Sequence, residues 1–202
     1  AAAALAVLEG KWQPRPADAE FLLARYHRPT PRIALGSRLP GHASAAIDSF
    51  PIPKTGPKQL FYLQRSTNSN TIICDLNTDG KGQVIKDNPV HVYWIRYDEG
   101  GEKKELSYIQ QTFAYGIKHE SLPNGVFKLH FVSYKKQVFY LKRSLRDNQY
   151  KVYFLLNNKE FVLQKLFLRI DGGSFWVPNV IYMELLGRDE YSGKAISYKF
   201  KP

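Results

Sequence analysis

The stretch Asp75 to Asp87 reads DLNTDGKGQVIKD, and its first half has the ligand order of a calcium loop. Such a loop takes oxygen ligands at positions 1, 3 and 5, glycine at 6 and a bidentate carboxylate at 12. Asp75, Asn77, Asp79 and Gly80 fill the first four of these. The twelfth is Lys86, a cation where the strongest anionic ligand belongs, and Asp87 comes one residue late. The flanking runs TIICDL and PVHVYWIRY read as strands, whereas that motif sits between helices. NTDGKG is also good turn sequence, because Asp and Gly tolerate positive φ. The turn is the favoured reading, so no metal site is expected at Asp75, Asn77 and Asp79.

A second set is polar and aromatic. In PVHVYWIRY, alternation places His91, Tyr93 and Tyr97 on one face of a strand and Arg96 on the other. In KELSYIQQTFAYGIKH, Tyr108, Gln111 and Tyr115 are spaced three and four apart, which makes one stripe on a helix. A helix laid over the first face would let His91, Tyr93, Tyr97, Tyr108, Gln111 and Tyr115 ring a ligand pocket, with Arg96 as a seventh site candidate beside them. The plainer alternative is tyrosines at the core boundary with their hydroxyls in water.

Other chemistries find little support. There is no G-x-S-x-G elbow and no Gly-rich phosphate loop, so no cofactor is expected. The five histidines show no H-x-x-x-H or H-x-H pair, and the one cysteine, Cys74, lies in an apolar run. A buried, inert thiol is its expected state. SYKKQVFYLKRSLR interleaves Lys135, Lys136, Lys142, Arg143 and Arg146 with Tyr134, Phe139 and Tyr140, a pattern that can bind single strands. Lys135–Lys136 reads as a hairpin tip and Lys142–Arg143 as a strand end, so solvated turns are favoured over nucleic acid.

These groups must be carried by strands. QLFYLQRS alternates, TNSN is turn sequence, and TIICDL follows, which reads as a hairpin. After the helical segment come VFKLHFVSY, QVFYLKRSL, YKVYFLLN, FVLQKLFLRI, VPNVIYMELLG and AISYKF, joined by short turn-like links. The expected fold is mainly β: an antiparallel sandwich or barrel of eight or nine strands, with one inserted helix over about 104–118. Leu106, Ile109, Phe113 and Ile117 supply that helix with its apolar spacing.

The chain has 202 residues, 44% of them apolar, which suits one domain with a real core. The formal net charge is +11, but the basic residues are scattered rather than clustered. No apolar run is long enough to span a membrane as a helix. Residues 1–50 are rich in Ala, Arg and Pro and read as a weakly ordered or leader-like extension. Within them DAEFLLARY has short-helix character, and Ala43 to Ala46 carries an A-x-A pattern that a signal peptidase accepts. Residues 51–202 read as a single β-domain.

LFYLQRSTNSNTI, NPVHVYWIRYDEGGEKKELSYIQQTFAYGIK and the closing VPNVIYMELLGRDEYSGKAISYKF resemble the bacterial family known as domain of unknown function 4833. The resemblance covers residues 51–202. It implies an exported protein of Bacteroidota, periplasmic or associated with the outer envelope, and it carries no catalytic residues. The function expected is a non-catalytic binding or envelope-structural module. A lipocalin-like barrel for a small apolar or aromatic ligand is its sharper form, and an envelope component is the other partner class. An enzyme acting on an envelope polymer is the alternative.

Overall fold

The computed structural model describes residues 50–173 and 178–202. The readings made for residues 1–49, the short helix and the A-x-A pattern included, lie outside the described residues.

Eleven strands are described: β1 Gln59–Arg65, β2 Asn68–Leu76, β3 Val90–Arg96, β4 Glu102–Glu105, β5 Ile117–Leu122, β6 Val126–Phe131, β7 Tyr134–Arg143, β8 Tyr150–Leu156, β9 Lys159–Gly173, β10 Pro178–Arg188 and β11 Ala195–Phe200. One α-helix, α1, covers Tyr108–Phe113. All strands join one curled sheet of order β4-β3-β2-β1-β9-β8-β7-β6-β5, with β10 and β11 added beside β9. The result is a half-barrel.

β9 is the spine. β10 occupies one of its edges from Val162 to Gly173. On the other edge β8 pairs with Lys159–Val162, and β1 pairs with Lys165–Leu168 immediately after. Two limbs, β1–β4 and β8–β5, therefore leave the same edge of one strand and splay apart. The apolar residues of each limb face the space between them, as the period-two pattern requires. Phe61 of the first limb packs against Phe131 and Phe139 of the second, with ring centroids 6.2 and 6.1 Å away. Leu129, Leu141, Phe154, Leu163, Leu166 and Leu185 complete this core. Cys74 lies in it, fully buried, and burial first, then the neighbouring Asp75 charge, pushes its thiol well up. That is the inert cysteine expected.

The expectation of a wholly antiparallel sheet of eight or nine strands needs correction. β1 and β9 are parallel. The two further strands, β4 and β5, come from the segment read as helix ends. The helix spans Tyr108–Phe113, not 104–118. Ser107 starts it: its Oγ accepts the Gln110 N–H, while the Gln110 side chain accepts the Ser107 N–H, a complete capping box. Glu102–Glu105 lies outside that cap and pairs with β3 instead. At the other end Gly116 passes so close to Gln111 that an added Cβ would sit 1.9 Å from its carbonyl oxygen. Ile117 then pairs with Phe131 as the first residue of β5. Pro123–Gly125 is the turn from β5 to β6, with Asn124 left-handed at φ 62°. Lys135–Lys136 is not a hairpin tip but part of β7.

Candidate functional site

β4 and β5 are the two ends of the strand path, and α1 joins them. Six residues of helix cannot cover that seam fully, and a cleft of about 320 Å³ remains. Val90, Val92, Leu106, Ile117 and Val132 supply its apolar lining. Asn88, His91, Glu105, Tyr108, Gln111, Thr112 and Lys118 supply the polar groups.

Antiparallel pairing of β3 with β4 puts Tyr93 opposite Glu105 and brings Glu105 beside His91. His91 Nε2 and Glu105 Oε2 are 2.8 Å apart at the rim of the cleft. The His91 ring lies 5.1 Å from the Tyr93 ring. Tyr93 turns away from the cleft and donates its hydroxyl to Asp75 Oδ2 at 2.9 Å, with Lys103 Nζ over its ring at 3.9 Å. Burial, seconded by the Asp75 carboxylate, pushes the Tyr93 phenol up to about 12.

Of the seven site candidates, His91, Tyr108 and Gln111 line this cleft. The other four do not. Arg96 pairs with Glu99 at 2.5 Å, beside the turn that leads into β4. Tyr97 opens that turn, half-buried, its phenol raised by burial. Tyr115 lies beyond the end of α1, so the three-and-four spacing no longer holds it in the stripe. It is buried against Trp94 with ring centroids 5.2 Å apart. Sequence reasoning missed Asn88, Glu105, Thr112 and Lys118. The signal for Glu105 was the pair Gly100–Gly101, both at positive φ, which turns the chain so that EKKE folds back on β3.

The calcium candidates go to separate partners. Asp79 Oδ1 accepts the N–H groups of Lys81 and Gln83, each at 2.8 Å, and so builds the turn itself. Asn77 donates to the Asn88 carbonyl, and Asp75 holds Tyr93. Among the described residues, no group of three or more His, Cys, Asp or Glu side chains is arranged to hold a metal.

A second polar cluster joins the turn after β7 to the turn after β10. Glu190 accepts from Ser144 Oγ at 2.5 Å, Lys151 Nζ at 2.8 Å and Tyr153 Oη at 2.7 Å. Burial alone pushes this carboxyl up, but those three donors outweigh it and the net shift is downward. Ser144 is buried and its hydroxyl also accepts the Arg146 and Asp147 N–H groups. Such a saturated network rigidifies two loops rather than exposing a nucleophile.

A model of the family described as domain of unknown function (DUF4833) matches residues 61–199. The chain belongs to that family. The matched span of this DUF4833 domain runs from β1 to β11, so both limbs and the seam cleft fall within it. No curated protein and no solved structure matches the chain. None of the described helices of the domain is long and apolar enough to cross a membrane.

Proposed function

We propose that this domain is an exported, non-catalytic binding module that takes a small ligand in the seam cleft. The periplasm or the outer envelope is the setting, as the family resemblance implies. The observation that carries the reading is the cleft itself. It is a concave gap at the two ends of the sheet path, lined by both apolar and polar side chains, with the polar surface the larger. The ligand sits at the seam rather than inside a lipocalin-like barrel, because Phe61, Phe131 and Phe139 fill the space between the limbs. A molecule with an apolar ring and polar edges suits the lining. Tyr108, 77% exposed, offers a face, while Gln111, Thr112 and Asn88 offer donors and acceptors.

The enzyme alternative has one observation in its favour. A histidine held by a carboxylate is a general-base unit, and His91 and Glu105 form one at the rim. Among the described residues no Ser, Thr or Cys side chain is hydrogen-bonded to His91, so binding remains the better supported reading.

Native mass spectrometry of the protein as purified, then an amide chemical-shift screen against ring-bearing polar metabolites, tests this. Binding predicts saturable shifts at Gln111, Thr112 and Gly116. Shifts confined elsewhere, or none with no retained mass, overturn the cleft as the site. Turnover of an envelope glycan or peptide that is lost in His91→Ala would favour the enzyme.

A further inference from the structure

Three residues at the end of the core form a cluster outside the seam cleft. Arg65 ends β1 on the core side of the sheet, in the same alternation as Phe61 and Leu63. Its guanidinium carbon lies 5.0 Å from the Trp94 ring centroid and 5.8 Å from that of Tyr115. Nη1 donates to Tyr115 Oη at 3.0 Å and Nη2 to Asn68 Oδ1 at 3.2 Å. Both partners are neutral. Other half-buried cations of the domain behave differently: Arg96, Lys142 and Lys151 each hold a carboxylate.

Two further donors have no acceptor among the described residues. Arg65 Nε and Trp94 Nε1 are buried and unbonded, and Trp94 is only 6% exposed. Stacking on aromatic rings does not satisfy Arg65, because its N–H groups point out of the guanidinium edge, not its face. A buried donor without a partner is rare and costly, and an uncompensated cation more so. Two such donors on adjacent side chains, one of them on a cation with no counter-ion among the described residues, call for an acceptor that carries negative charge.

We propose that Arg65 and Trp94 form a binding site for a compact oxyanion, a carboxylate or phosphate group, gated by Asn68. The Asn68 amide oxygen is the stand-in acceptor. It is held by one long hydrogen bond across the β1–β2 turn and swings aside when the anion arrives. The anion then accepts from Arg65 Nε–H and Nη2–H side-on and from the indole N–H of Trp94. An anion adds to the Arg65 donors the attraction of opposite charges, which the neutral Asn68 amide does not offer. The site shares no residue with the seam cleft, so it stands or falls separately from the ligand proposed there.

The indole and Arg Nε resonances of ¹⁵N-labelled protein read this directly. Trp94 is assigned by Trp94→Phe. Sodium acetate and sodium phosphate are each titrated against sodium chloride at constant ionic strength, which removes general screening. The expected result is a saturable shift of the Trp94 indole and Arg65 Nε–H with acetate, phosphate or both, and none with chloride. The anion that saturates at lower concentration identifies the source. Asn68→Asp places a carboxylate on Arg65 internally and should raise Tm while suppressing the titration. Arg65→Lys keeps the charge but lacks Nε, and should bind about tenfold more weakly. A linear or absent shift in the unaltered protein, an equal response to chloride, or an unchanged response in Asn68→Asp overturns the site.

Discussion

His91 Nε2 meets Glu105 Oε2 at 2.8 Å, fourteen residues apart in the chain and on adjacent strands. The pair is exposed, at 36% for the His91 side chain and 65% for that of Glu105. Exposed pairs contribute at most about 1 kcal/mol. His91→Ala and Glu105→Ala should therefore each change the unfolding free energy measured in urea by no more than about 1 kcal/mol, while weakening the binding of any cleft ligand. A loss of several kcal/mol would make the pair a structural device instead.

Gly116 is where α1 meets the start of β5. A methyl group there would lie 1.9 Å from the Gln111 carbonyl oxygen, which is backbone and cannot rotate away. Gly116→Ala should cost about 1–3 kcal/mol by overpacking. Thermal unfolding measures it, and the loss should come with shifts in the amides of α1 and the cleft. An unchanged Tm would mean that the helix does not sit so close.

Alkaline pH should loosen the domain. Burial comes first in raising both Tyr93 and Tyr153, followed for each by the carboxylate it donates to, Asp75 and Glu190. A raised folded pKa favours the neutral phenol, so its stabilisation is full below the unfolded value near 10. It is lost as pH climbs through the folded value, about 12 for Tyr93. Unfolding free energy measured from pH 9 to 12 should fall from about pH 10 onward. Tyr93→Phe should flatten part of that limb.

Acid acts through the Glu190 cluster with the opposite sign. The Lys151 hydrogen bond lowers Asp147 to about 2, and Lys159 lowers Asp189. Glu190 is lowered too, its three donors outweighing burial. Depressed carboxyls stabilise above their unfolded pKa of roughly 4 and lose that as pH falls through the folded values. Stability should decline between about pH 4.5 and 2. Glu190→Gln should cost about 1.5–3 kcal/mol at neutral pH, the worth of hydrogen bonds to a charged group. Its acid limb should also be shallower.

Calcium should leave Tm unmoved. Asp79 spends its Oδ1 on two backbone N–H groups of its own turn, and Asp75 is engaged by Tyr93. Differential scanning calorimetry with and without calcium checks this. A stabilisation that vanishes in Asp79→Ala would reverse the turn reading.

Strand identity was legible because it is local. Residues that alternate in QLFYLQRS or VFKLHFVSY do so about a backbone whose side chains point to opposite faces, whatever the partner strand. The half-buried strands β1, β6 and β7 were found in this way, and so was the buried Cys74. β4 was missed because EKKE is exposed throughout and carries no apolar alternation. The helix was drawn too long because Leu106 and Ile117 fit a helical spacing by accident. Only the Ser107 cap and the close approach at Gly116 set its ends.

By itself, then, the amino-acid sequence determined a mainly β domain, its family and the place of nine of the described strands. Each of those depends on neighbours in the chain. Tertiary structure alone decided that β1 and β8 share one edge of β9 and that the seam opens between β4 and β5. It also decided that His91 finds Glu105 and that Arg65 meets Trp94 and Tyr115. Those relations rest on register and closure of the sheet, which join residues far apart in sequence and leave no periodic trace within any one segment.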